Sequence, residues 1–136
     1  APCIDHLIVN ELEAARATGT EADADTLTDA ATLQAMASQL AALGIRRSVV
    51  VHCATRAVWH GADGAQQVVE IPPLDPAEIA STLGAGDAFC AGLTFALHEG
   101  WSAERALTLA VATARASLRG HTATEAIPPL TALELR

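Results

Sequence analysis

The stretch Thr82-Leu83-Gly84-Ala85-Gly86-Asp87-Ala88-Phe89 decides how this chain is read. It follows a proline-rich segment (Pro72, Pro73, Pro76) that reads as an extended connection, and it opens an apolar run reaching His98. A glycine-rich turn that opens a helix is an anion site by construction. The first amide groups of the helix lack intrahelical acceptors, and the dipole adds about half a positive charge. Two glycines let a phosphate approach the backbone with no Cβ in the way. Asp87 does not fit that task, because a carboxylate beside an anion hole repels phosphate. It reads either as an ordinary acid complementing the helix dipole or as a base that takes a proton from an attacking hydroxyl. A dinucleotide fingerprint is the weaker rival, since Phe89 occupies its third glycine position and no clean strand precedes the turn.

Working outward, Leu7-Ile8-Val9 reads as a buried strand ending at Asn10, followed by a helix from Glu11 to about Thr18 that Gly19 stops. A longer helix is expected from about Leu27 to Leu43. Thr26 or Thr28 would cap it, Leu33, Met36, Ala37, Leu40 and Leu43 would form its stripe, and Gly44 would sit at C′. Ser48 to His52 is a β-branched strand buried on both faces. Arg56 to His60 and Gln66 to Glu70 alternate around Asp63-Gly64 as a hairpin. The helix from Ala85 to His98 is apolar nearly all round and should be buried, with Gly92 marking a close backbone approach. Ser102 caps a last helix, Ala103 to Leu118, whose face carries Leu107, Val111, Ala114 and Leu118, and Pro128-Pro129 lead into a short turn or helix. Strands fed by helices give an α/β layer arrangement.

Composition excludes several functions. The 136 residues carry a formal charge of −8, and all eight basic residues are arginine. That balance argues against nucleic-acid or anionic-membrane binding, which needs a basic surface. With no lysine there is no Walker A loop, no Schiff-base lysine and no protein-kinase strand lysine. No stretch approaches the ~18 unbroken apolar residues of a membrane span. Cys3, Cys53 and Cys90 are odd in number and far apart, which favours buried reduced thiols in a cytoplasmic protein. The five histidines show no zinc-ligand spacing.

The Thr82–Phe89 run, followed by Ala91-Gly92, resembles the second signature of the ribokinase-like (PfkB) carbohydrate kinase family. The flanks resemble the family in order. Ala1-Pro2 resembles the end of its Asn-Pro-Ala-Pro strand, and Leu7 to Ala14 its strand ending in Asn-x-x-Glu. Thr18-Gly19, Gly44-Ile45 with Val49–Val51, and Gly100 to Leu107 match later landmarks. The resemblance implies the C-terminal part of a ribokinase-like three-layer α/β/α sandwich, a mostly parallel sheet with a β-hairpin. Residues 1–136 would be the nucleotide-binding and catalytic part, without the N-terminal sugar-binding part and lid. The chain is therefore expected to be a fragment or truncated product that is inactive in isolation.

The implied reaction is ATP-dependent phosphoryl transfer to a hydroxyl of a sugar or sugar-like small molecule. Asp87 would be the general base and Gly84, Ala85 and Gly86 the anion hole. Asn10 and Glu13 would organise Mg²⁺ through water, although both also read as a helix cap and capping-box acid. His52, Ala54, Ala57 and Val111 fall at nucleotide or phosphate positions. The partners implied are ATP and a sugar, with a homodimer of the full-length protein as a further expectation. Three departures stand out. Ser81 replaces an Asp that helps hold a monovalent cation, keeping an oxygen but losing the charge, which weakens the expected K⁺ site. Ala54 and Ala57 replace glycines of the nucleotide loop and would be strained wherever φ is positive. Val111 stands in for an Asn near the adenine. These departures motivate the alternative of a degenerate, non-catalytic nucleotide-binding or interaction module.

Overall fold

The β-branched run Ser48-Val49-Val50-Val51-His52 forms β2, the strand on which the first half of the chain is organised. The computed structural model describes residues 3–133 and divides into two compact units, one ending at Ile71 and one beginning at Pro72. In the first unit the sheet order is β1 (His6–Asn10), β2 (Ser48–His52), β3 (Arg56–Gly61) and β4 (Gln66–Glu70). β1 and β2 are parallel, joined through α1 (Glu11–Thr18), α2 (Ala24–Leu27) and α3 (Ala30–Ala41). β2–β3 and β3–β4 are antiparallel. Parallel pairing is thus confined to β1–β2 among the described residues, short of the mostly parallel sheet expected for the parent fold. The reason is connection length: Cys53-Ala54-Thr55 is far too short for a parallel crossover, which takes about a dozen residues. The Asp63-Gly64 turn closes the last hairpin, with Gly64 at φ 82° and Asp63 Oδ1 accepting the Ala65 amide at 3.0 Å.

The core of this unit lies between the sheet and α1 and α3. Leu33, Met36, Leu40, Val49, Val51 and Val58 are each at most 2% exposed, and Ala14, Ala37 and Cys53 fill between them. Each of the large side chains contributes about 1.5–3 kcal/mol relative to an exposed position. β1 is half-buried throughout rather than wholly buried, as suits a strand that has a neighbour on one side only among the described residues. The expected Leu27–Leu43 helix is split in two. Asp23 Oδ1 accepts the Thr26 amide at 2.8 Å and starts α2 early, so Thr26 is the capped residue and not the cap. α3 then begins after Asp29. Its stripe holds through Leu40, but Leu43 lies beyond the helix end and is 57% exposed.

In the second unit the prolines permit one turn of 3₁₀ helix, Pro76–Glu78, with Pro76 at the first position where its missing N–H costs nothing. α4 (Ala85–His98) packs against α5 (Ala103–Ser117), and a second 3₁₀ turn spans Leu130–Ala132. The more deeply buried helix is α5, with Ala106, Leu107, Leu109, Ala110, Val111, Thr113, Ala116 and Ser117 inside. α4 buries one face only, and Ala91, Phe95 and His98 are exposed, against the expectation of burial all round. Phe95 and Trp101 pack edge-to-face with centroids 6.0 Å apart, and Arg105 lies over the Trp101 ring at 3.6 Å. No helix among the described residues is long and apolar enough to cross a membrane. None of the three cysteines forms a disulfide; Cys53 is buried as expected, whereas Cys90 is half-buried and Cys3 exposed.

Gly92 sits where α4 and α5 touch. A Cβ there would stand 2.6 Å from Thr113 Oγ1 and 3.1 Å from both Ala110 Cα and Leu109 O. Thr113 cannot easily yield, because its hydroxyl donates to Leu109 O at 2.8 Å. Gly92→Ala gains about 1 kcal/mol of helix propensity, but forcing packed backbones apart costs typically ~1–3 kcal/mol. The expected outcome is a lower unfolding midpoint. A raised midpoint would mean that propensity outweighs the contact.

Candidate functional site

The chain entering α4 is pinned before it turns. The amides of Ala80 and Ser81 both donate to Leu118 O, at 2.9 and 3.3 Å, and Ser81 Oγ accepts the Leu83 amide at 3.1 Å. Gly84 then adopts φ 80° and ψ 4° as the N-cap of α4. An added Cβ would also collide with the methyl group of Ala123, so two separate constraints select glycine here. The first helical bond runs from the Ala88 amide to Gly84 O at 2.9 Å. Among the described residues the amides of Gly86 and Asp87 have no protein acceptor, while the Ala85 amide leans on Thr82 O at 3.4 Å. The amides left without a protein acceptor among the described residues are therefore those of Gly86 and Asp87, with Ala85 partly engaged. Gly84 supplies the shape of the turn.

Asp87 occupies the third helical position and is exposed. Two other helix starts among the described residues also carry an acid at that position and use it to close a capping box. Glu13 Oε2 accepts the Asn10 amide at 3.0 Å, and Glu78 Oε2 accepts the Asp75 amide at 3.4 Å. Asp87 does neither, and its carboxylate has no hydrogen bond or cation partner among the described residues. Asp87 therefore closes no capping box, while its place in the first turn still complements the helix dipole. The turn's neighbour, residues 120–126, was not singled out from sequence. There the Glu125 amide donates to Thr122 Oγ1 at 3.3 Å and the His121 amide donates to Glu125 Oε1, which holds the Glu125 carboxyl below its usual range. The Thr122-x-x-Glu125 spacing is a capping-box signal that could have revealed it.

A second group lies in the first unit, at the carboxyl ends of the parallel strands, where open α/β sheets bind ligands. Asn10 and His52 are register partners there. Asn10 caps α1, with its Oδ1 accepting the Glu13 amide at 2.8 Å. Burial lowers the His52 pKa, and nearby Glu13 opposes the shift, so the imidazole is neutral at pH 7. Glu13 Oε1 has no protein hydrogen bond among the described residues. One exposed carboxylate with a free oxygen suits a hydrated magnesium ion, which keeps most of its waters and leans on phosphates. No cluster of three or more His, Cys, Asp or Glu is gathered for direct ligation among the described residues. Asn10→Ala is expected to cost about 1 kcal/mol of stability in a denaturant melt; an unchanged melt would mean the box is idle.

The loop replacements carry no strain. Every positive-φ position among the described residues is a glycine, so neither Ala54 nor Ala57 adopts the backbone that would penalise alanine. Ala54 is exposed in the β2–β3 loop. Ala57 lies inside β3, opposite His52, and is fully buried, so it offers a ligand no surface. Arg56, in the same strand, pairs with Glu70 at 3.4 Å. Val111 is 7% exposed within α5.

The comparisons with known proteins agree with one another. The family model described as "pfkB family carbohydrate kinase" matches residues 1–130. A 5-dehydro-2-deoxygluconokinase of Geobacillus thermodenitrificans (strain NG80-2) is 30% identical over 88 residues, covering 61% of this chain and 26% of that protein. Its counterpart in Geobacillus kaustophilus (strain HTA426) is 30% identical over 82 residues, covering 57% and 24%. The chain thus spans about a quarter of the length of these curated relatives. Among solved structures, the Arabidopsis thaliana ribokinase complexed with ribose and ATP superposes with a TM-score of 0.78 at 26% identity, covering 93% of this chain and 38% of that one. An E. coli ribokinase II solved with ATP and Mg²⁺ gives 0.67 at 20% identity, covering 91% and 36%. The fold is ribokinase-like α/β, and with a family match across nearly all its residues this chain belongs to the pfkB family of carbohydrate kinases.

Proposed function

We propose that the protein to which this chain belongs transfers the γ-phosphoryl group of ATP to a hydroxyl of a sugar or sugar-like alcohol, and that residues 1–136 are its nucleotide-binding and catalytic part. The observation that carries this reading is the start of α4: unpaired amides at Gly86 and Asp87 beside an exposed carboxylate that caps nothing. In the transfer, the acceptor hydroxyl gives its proton to the Asp87 carboxylate. Its oxygen bonds to the γ-phosphorus as the bond to the bridging β–γ oxygen breaks, and ADP leaves with that electron pair. The amides at the head of α4, with the helix dipole behind them, stabilise the charge on the transferring group. Asn10 and Glu13 would hold magnesium through water, and the ion would offset phosphate charge. His52 is neutral and pairs with Asn10 in register, so it adds no charge beside Asn10.

The relatives support the same substrate classes. The Arabidopsis ribokinase was solved with ribose and ATP, and the E. coli protein with ATP and Mg²⁺. A ligand that binds only the folded state stabilises it by about 2.7 kcal/mol at a hundredfold excess over Kd. Thermal unfolding of the intact protein should therefore shift upward with Mg-ATP and with Mg-ADP. No shift with either nucleotide would contradict the proposal and favour a degenerate module.

A further inference from the structure

We infer that the phosphate-binding turn is held in shape by the chain's own hydrogen bonds, and that it works without a monovalent cation beside Ser81. The inference rests on the phosphoryl-transfer reading. The family resemblance places an Asp at position 81 as part of a monovalent-cation site, and the donor set found there does not fit such an ion. Ser81 brings no charge, and its oxygen is already committed to the Leu83 amide at 3.1 Å. Its own amide is committed to Leu118 O at 3.3 Å. The serine thus ties the entry of the turn to itself and to the end of α5. A neutral hydroxyl with one lone pair in use is a poor substitute for a carboxylate against the hydration shell of a monovalent cation.

The segment behind the turn is self-closed in the same manner. Gly84 abuts Ala123, and the loop carrying Ala123 is fastened by Thr122 Oγ1 accepting the Glu125 amide and Glu125 Oε1 accepting the His121 amide. Glu125 is the one acid in residues 120–126. Its Oε1 is engaged with the backbone of its own loop. Protein donors hold both segments, and close contact between Gly84 and Ala123 joins them. The chain therefore replaces a charged bridge with a serine tether and a capped loop.

The test uses the intact protein in potassium chloride and in tetramethylammonium chloride at equal ionic strength. Thermal unfolding is followed with and without Mg-ATP, and turnover is measured in both salts. Midpoints should coincide, and turnover should agree within about twofold, as expected when a cation binds no better to the folded than to the unfolded state. A potassium-specific rise in midpoint, or about a tenfold gain in turnover from potassium (1.4 kcal/mol), would overturn the inference. Ser81→Asp restores the missing charge, and this variant should acquire a potassium-dependent midpoint that the unaltered protein lacks. A folded Ser81→Asp protein still indifferent to potassium would overturn the assignment to Ser81. Should the variant fail to fold, the two salts on the unaltered protein decide the matter. Absence of turnover in both salts would count against the phosphoryl-transfer reading, while the unfolding midpoints would still decide the cation question.

Discussion

Asp87→Asn in the intact protein should lower turnover by about 10²–10⁴-fold, the usual range for removing a general base. The substitution keeps the shape of the side chain at the third position of α4 and removes only its ability to take a proton. Nucleotide affinity should not fall with it. A carboxylate beside the unpaired amides of Gly86 and Asp87 repels phosphate, so neutralising it leaves Mg-ATP binding equal or slightly tighter. Stability should also change little, because the Asp87 carboxylate makes no hydrogen bond or ion pair among the described residues. A loss confined to turnover, with Kd and melting midpoint retained, is the signature of an interaction made in the transition state. A mutant with near-normal turnover would leave Asp87 as a dipole-complementing acid and no more.

Gly84→Ala should cost about 2–5 kcal/mol, the sum of ~1–2 for an L-residue at positive φ and ~1–3 for overpacking. Gly19 provides the control. It has φ 69°, close to the 80° of Gly84, yet no atom lies within 4 Å of where its Cβ would be. Gly19→Ala therefore meets the backbone penalty alone, and the excess at Gly84 isolates the collision with Ala123. Adding Ala123→Gly to Gly84→Ala should recover most of that excess, leaving the backbone term and the 3.2 Å approach to the residue 123 Cα, a coupling that a double-mutant cycle in urea reads directly. Equal costs at the two glycines would show that Ala123 does not press on the turn.

The turn itself was legible in sequence because its requirements are local. A glycine needed for φ and for close approach, a second glycine in the first helical turn and a misplaced carboxylate all sit within a few residues. The same holds for α1, where Asn10, Glu13 and Gly19 mark the start and the stop on capping chemistry alone. Failures came where a choice depends on competition. Asp23, Thr26, Thr28 and Asp29 all offer caps, and the structure uses Asp23 and breaks the helix before Ala30. Which acceptor wins is set by where Leu27 and Leu33 must be buried, and periodicity does not report that.

Alanine caused the other error. Counting every alanine of α4 as apolar made the helix look buried all round, yet Ala91 faces outward. α5, richer in polar residues, is the one enclosed. Alanine buries so little area that its position says almost nothing about burial. The segment 120–126 carries a local capping signal in Thr122 and Glu125, but nothing local names its partner. Its contact with Gly84 joins residues far apart in sequence, and no local pattern announces such a pairing.

The most direct test of the central claim is a transfer experiment with γ-labelled ATP. The intact protein would be supplied with magnesium and a set of hydroxymethyl sugars and sugar acids, ribose and 5-dehydro-2-deoxygluconate among them. The account predicts that label appears in an acceptor phosphate ester as ADP forms in equal amount, and that Asp87→Asn slows the transfer by about 10²–10⁴-fold while still binding Mg-ATP. Label passing to an acceptor at the same rate in wild type and Asp87→Asn would contradict it.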